Sequence, residues 1–129
     1  MADKFTVEVI SPDKTILKSE AEEVVIPSYE GLMGILKDHI PLITYLRPGQ
    51  IIIKNQNEKC YFVQEGIVEF SNNNLLILTS TVEDVKNFDK SSIYKLIEEE
   101  EKKLGNSDLT DKERYVLSYK INTLKEISQ

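Results

Sequence analysis

A single histidine, a single cysteine and one short run of glutamates are the residues of this 129-residue chain best suited to chemistry. His39 is the only imidazole, which rules out a histidine pair on a metal and leaves one general base, with Ser28 and Thr44 as the nearby hydroxyls. A Ser-His-Asp arrangement would need Asp38 to orient His39, yet adjacent residues of an extended chain face opposite sides. Cys60 lies in KCYFVQEG, among strand-type residues. One thiol forms neither an internal disulfide nor a multi-cysteine metal site, so a buried structural cysteine is expected. The glutamates Glu98–Glu101 run directly into Lys102 and Lys103. Consecutive helical residues point around the whole barrel, whereas Glu98 with Lys102 and Glu99 with Lys103 stand at i, i+4, so a solvated helix face is predicted. The chain has no GxxxxGK[ST] and no GxGxxG, and Gly31 and Gly34 lack the flanking strand, Lys and helix of a phosphate loop. No catalytic residue, metal ligand or cofactor-binding residue is predicted.

The elements around these residues fall into two halves. Up to about Thr81 the pattern is strand-like. FTVEV alternates at Phe5, Val7 and Val9, EEVVIP and GQIIIK are short buried-type runs, KCYFVQEGIVEF alternates around Gly66, and NLLILTSTVE closes the series. With SPDK, RPG, QNEK and NNN between them, these pieces predict an all-β sandwich or barrel of about nine or ten strands over residues 1–84. Pro27, Pro41, Pro48, Gly31, Gly34 and Gly49 all fall between Pro27 and Gln50, where they predict shaped turns between short strands.

Residues 85–129 contain no Pro and one Gly, Gly105. A first helix is predicted from about Ser91 to Leu104, capped by Asp89 or Ser91, with Ile93, Leu96, Ile97 and Leu104 on one face. Gly105 and Asn106 are expected to end it in the left-handed conformation. A second helix opens on the capping-box sequence Thr110-Asp111-Lys112-Glu113 and carries Leu117, Ile121 and Leu124. Isolated helices of about 12–15 residues are marginal in water, so this antiparallel hairpin needs a surface to lie on. It can rest on the β domain or leave it for another protein.

The formal net charge of -6 is carried by residues 1–84, while acidic and basic residues balance in 85–129. Clustered Lys and Arg, which nucleic acid or an anionic membrane would call for, are missing from that acidic half, so basic protein partners fit better. No long apolar run and no leader-like segment are visible, which predicts a chain made and kept in the cytoplasm without inserting into a membrane.

The run PSYEGLMGILKDHIPLITYLRPGQ, Pro27 to Gln50, closely resembles the epsilon subunit of F-type ATP synthases, a family that reads close to EGxxGILPGHAPLLTxLKPG here. The similarity extends over the full length, a β domain followed by a helical hairpin. It implies a non-catalytic rotor subunit of the central stalk that links gamma to the c-ring, with a hairpin that restrains ATP hydrolysis and has the alpha and beta subunits as its implied partners. By the same resemblance Tyr29, Glu30, Gly31 and Leu32 would approach the c-ring, and His39, Ile40, Pro41 and Leu42 would lie near gamma. Lys37-Asp38 departs from the usual Pro-Gly, which implies a turn of different shape. Some bacterial members bind ATP through a motif like I-D-x-x-R-A at the start of the first helix. Asp89 matches it, but Ser92 stands in place of Arg and Ile93 in place of Ala, so no cofactor is expected. The implied place is the cytoplasmic face of a bacterial plasma membrane, with thylakoid and mitochondrial locations left open. The alternatives are a nucleotide-sensing module, which the missing Arg disfavours, and a small β-sandwich enzyme or sugar binder, which the lack of Trp and of a convergent polar cluster disfavours.

Overall fold

The computed structural model describes residues 3–129. The strands are β1 Phe5–Ile10, β2 Thr15–Ala21, β3 Glu23–Ser28, β4 Gly31–Leu36, β5 Leu42–Leu46, β6 Gly49–Lys54, β7 Glu58–Val63, β8 Gly66–Ser71, β9 Asn74–Leu78 and β10 Glu83–Asp84. A single 3₁₀ turn, Val85–Asn87, leads into α1, Lys90–Leu104, and α2, Asp111–Ser128. Strand pairing gives two layers, β4-β3-β6-β7-β10 and β5-β8-β9-β1-β2, joined where Ser28 of β3 meets Leu46 of β5. The predicted β-sandwich with a C-terminal helical hairpin is the fold observed.

Alternation decides what each strand contributes. Phe5, Val7 and Val9 of β1, Val24 and Ile26 of β3, Ile51 and Ile53 of β6, and Leu75 and Ile77 of β9 all enter the core between the layers. Strand β3 serves both layers: Glu23–Val25 pair with β6, and Ser28 then pairs with β5. The change of partner falls at Pro27, which offers no N–H to a ladder, while its carbonyl accepts from the Arg47 amide at 3.0 Å. Gly49 lies against the Pro27 ring so closely that any Cβ there would collide with it. Gly49 is thus required by close approach at the start of β6 rather than by turn flexibility, and Gly34 lies inside β4 opposite Val25 rather than in a turn.

The hairpin has its own core, in which Ile93, Ile97, Ile121 and Leu124 close around Phe62 of β7, with Phe88, Leu96, Leu104, Leu117 and Ile127 packed around them. Tyr61 and Val63 point into the sandwich, so Phe62 necessarily points out, toward the helices. Phe88 meets it edge-on at 5.9 Å between ring centroids. The hairpin therefore rests on the outer face of β6 and β7.

Three local expectations are corrected here. Gly105 is right-handed (φ -73, ψ -8) rather than left-handed, because the final carbonyls of α1 have another partner. Arg114 of α2 donates to Leu104 O and Asn106 O, each at 3.1 Å. Within the glutamate run, Glu98 pairs with Lys102 at i, i+4 on the solvated face as predicted, but Glu100 is 4% exposed. Glu100 takes Lys103 at 3.3 Å, which displaces the expected Glu99 pairing, and Lys120 of α2 at 3.1 Å. Burial acts to raise the Glu100 carboxyl, but hydrogen bonds and charge from Lys120 and then Lys103 outweigh it and hold it below the ordinary value. Cys60, lastly, is half-buried rather than fully buried, since β7 turns that side chain away from the core taken by Tyr61 and Val63.

Candidate protein interface

The β3–β4 connection is a tight turn with Tyr29 and Glu30 at its tip. Ser28, fully buried, fastens it from inside: its Oγ donates to Gly31 O at 2.7 Å and accepts from the Glu30 amide at 3.2 Å. Gly31 closes the turn at φ +122, a conformation that disfavours any side chain. Alternation along β4 then sends Met33 and Ile35 toward the core and leaves Leu32 71% exposed. The expected residues Tyr29, Glu30, Gly31 and Leu32 thus form one projecting rim. A groove of about 1080 Å³ runs beside it, lined by Tyr29, Glu30, Tyr45, Ile67, Leu78 and Lys112.

The β4–β5 connection carries the second expected set. Asp38 adopts the left-handed conformation (φ 66), which lets this Lys-Asp turn close where the family pattern has Gly. Its amide donates to Asn73 Oδ1 at 2.7 Å, and Asn73 Nδ2 donates to the Asp38 carboxylate at 3.0 Å. Asn72 and Asn73 are themselves left-handed, forming the two-residue turn between β8 and β9. Asp38 is thereby committed to Asn73 and does not orient His39. The His39 ring lies edge-on to Phe70 at 6.0 Å, and its Nδ1 donates to Ile40 O at 2.7 Å. Ile40 is 74% exposed and Pro41 exposed, whereas Leu42 packs inward on the core. Of the four residues His39–Leu42, then, Ile40 and Pro41 face outward, His39 is half-buried and Leu42 belongs to the domain interior.

Sequence reasoning missed the residues that extend this surface. Ile43 and Tyr45 project from β5, and Tyr45 stands beside Ile67 of β8, which stands beside Leu78 of β9. Period-two alternation in LITYL carried that signal, masked by the apolar residues on both faces. Arg47, read as a turn residue, is 8% exposed. Its Nη1 donates to Pro48 O at 2.9 Å, and its guanidinium lies over the Tyr119 ring of α2.

Asp89 and Ser92 meet at the start of α1. The Asp89 carboxylate accepts from the Ser92 amide and from Ser91 Oγ, each at 2.8 Å, and these bonds, the Ser92 amide foremost, hold it below the ordinary value. Its negative charge is used as a helix cap. The Cys60 thiol is pushed up, by burial first and then by Glu58 and Asp84, and so stays protonated and poorly nucleophilic. Among the described residues no cluster of His, Cys, Asp and Glu is placed to hold a metal ion, and no helix is long and apolar enough to cross a membrane.

Residues 4–85 match the family model described as ATP synthase, Delta/Epsilon chain, beta-sandwich domain. The ATP synthase epsilon chain of Pelagibacter ubique is 45% identical over an alignment of 130 positions, which covers 99% of this chain and 100% of that one. The sodium ion specific ATP synthase epsilon chain of Propionigenium modestum is 40% identical, covering 66% of this chain and 63% of that one. Among solved structures, a chain of the Euglena gracilis mitochondrial ATP synthase, seen by cryo-EM together with its c-ring, matches the fold with a TM-score of 0.83 at 20% identity, covering 98% of this chain and 82% of that one.

Proposed function

This chain belongs to the ATP synthase epsilon chain family, non-catalytic subunits of the complex, and on that premise we propose that it couples rotation between two partners of the central stalk. The β-sandwich clamps a gamma-type subunit to the c-ring, so that ring rotation reaches the catalytic head formed by other subunits. The projecting Tyr29–Leu32 rim meets the polar loops of the ring, and the edge carrying Ile40 and Pro41 meets gamma. The hairpin leaves its seat on β6 and β7 to restrain ATP hydrolysis. The chain works as a peripheral subunit on the cytoplasmic face of the membrane and binds no nucleotide.

The observation that carries this reading is the exposure of Leu32 at 71%, at the end of a turn fastened at its base by Ser28. A large aliphatic fixed in solvent suits a protein contact better than a free loop. Copurification from detergent-solubilised native membranes tests it. Tagged chain should bring down a gamma-type subunit and the ring, and recovery of the chain alone would remove the rotor assignment.

A further inference from the structure

Tyr29 belongs to two surfaces at once. It stands at the tip of the turn assigned above to the ring, and its ring is also stacked on Tyr115 of α2, with centroids 5.7 Å apart and planes 15° apart. The Tyr115 hydroxyl donates to Tyr29 O at 3.4 Å, and Tyr115 meets Tyr119 edge-on at 4.7 Å. Arg47 covers the Tyr119 ring from 3.8 Å, and its own amide is bonded to Pro27 O, two residues before Tyr29. The circuit from turn to α2, from α2 to Arg47 and from Arg47 back to β3 is closed only while the hairpin is docked. Glu30 and Leu32 are open to solvent with the hairpin docked.

We infer that the docked hairpin pre-orders the Tyr29–Leu32 turn for its partner, so that hairpin docking and ring binding favour one another. This rests on the assignment of the turn to the ring. When the hairpin leaves, Tyr29 loses its stacking partner, and binding must then bear the entropy of ordering that side chain. Fixing one such side chain alters affinity by roughly two- to tenfold. Linkage makes the effect reciprocal: a bound ring holds the hairpin down by the same factor.

The test is a competition between tagged wild-type chain and full-length variants for an ATP synthase complex stripped of this subunit. Tyr115→Ala and Tyr119→Ala should each bind roughly two- to tenfold more weakly, Tyr115→Phe should bind nearly as wild type, and Leu32→Lys should lose most of its binding. In the free chain, Tyr115→Ala should speed amide exchange at residues 29–32, and adding the stripped complex to wild type should slow exchange in α2. Wild-type binding by both Ala variants, with Leu32→Lys impaired, would overturn the coupling and leave the ring assignment standing. Wild-type binding by Leu32→Lys would overturn the assignment and the coupling together. Unchanged exchange at residues 29–32 in Tyr115→Ala would overturn the pre-ordering itself.

Discussion

The guanidinium of Arg47 lies 3.8 Å from the ring centroid of Tyr119, and its Nε is buried with no hydrogen-bond partner. A cation over an aromatic face contributes about 0.5–2 kcal/mol, and an unsatisfied buried polar group costs about 1–3 kcal/mol. These nearly cancel. Release of the hairpin would return Arg47 to water, so this contact sets the hairpin in register without locking it down. Such a balance suits the release of the hairpin proposed above.

Removal of the aromatic half should therefore shift docking measurably. In Tyr119→Ala, amide exchange across α2 should rise by roughly twofold to thirtyfold, as loss of about 0.5–2 kcal/mol implies, while amides of β1 and β9 keep their rates. Equal exchange in variant and wild type would show that Phe62 and the hairpin's aliphatics hold the docked state unaided.

The buried Glu100 should make the hairpin acid-sensitive. Its carboxyl is held below the ordinary value in the folded chain, so its contribution is complete above the unfolded value of about 4.3 and is lost as pH falls through the lower folded value. Lys120→Met leaves that carboxylate buried with Lys103 alone, and should lower hairpin stability by about 1–3 kcal/mol near neutral pH. Denaturation followed by circular dichroism at pH 7 and pH 3 reads both effects. A variant as stable as wild type at pH 7 would place no value on the Lys120 contact.

These two contacts mark where the sequence stopped being legible. Phe5, Val7 and Val9 announce a half-buried strand because period two is local, and the Thr110–Glu113 capping box announces a helix start for the same reason. Glu100 meets Lys120 across two helices, and Arg47 meets Tyr119 across two structural units, at separations that no local period encodes. In Tyr61-Phe62-Val63 every residue is apolar, so the sequence alone did not say which one would turn outward to seat the hairpin. Gly105 looked left-handed because Arg114, the group that satisfies the helix end, comes from the next helix. The Tyr29–Leu32 and His39–Leu42 segments were singled out only through family resemblance, which gave no sign that Leu42 turns inward.

Asp89 as a helix cap leads to a third expectation. Asp89→Ala should weaken α1, read as lost helicity on warming, and ATP titrated calorimetrically into the wild-type chain at physiological concentration should give no binding heat. Millimolar or tighter binding that disappears in Asp89→Ala would show that Ser92 in place of Arg does not prevent nucleotide recognition.

The hairpin should be separable from coupling. Its core buries Ile93, Ile97, Ile121 and Leu124, each worth roughly 1.5–3 kcal/mol when fully buried, enough to supply the roughly 5.5 kcal/mol that moves a two-state docking equilibrium from 1:99 to 99:1. Deletion of residues 85–129 should leave a folded sandwich, with Phe62 newly exposed, that still assembles, though roughly two- to tenfold more weakly for want of Tyr115, while ATP hydrolysis by the complex rises. Failure to fold or to assemble would make the hairpin part of the structural core.

The most direct measurement is proton pumping by membranes reconstituted with Leu32→Lys. Leu32 is 71% exposed, so the substitution should leave the melting temperature of the chain within a few degrees of wild type, as surface changes within about 0.5 kcal/mol imply. The account predicts that ATP-driven pumping falls while the domain stays folded, because a charge now occupies the contact with the ring. Wild-type pumping with the variant fully incorporated would contradict it.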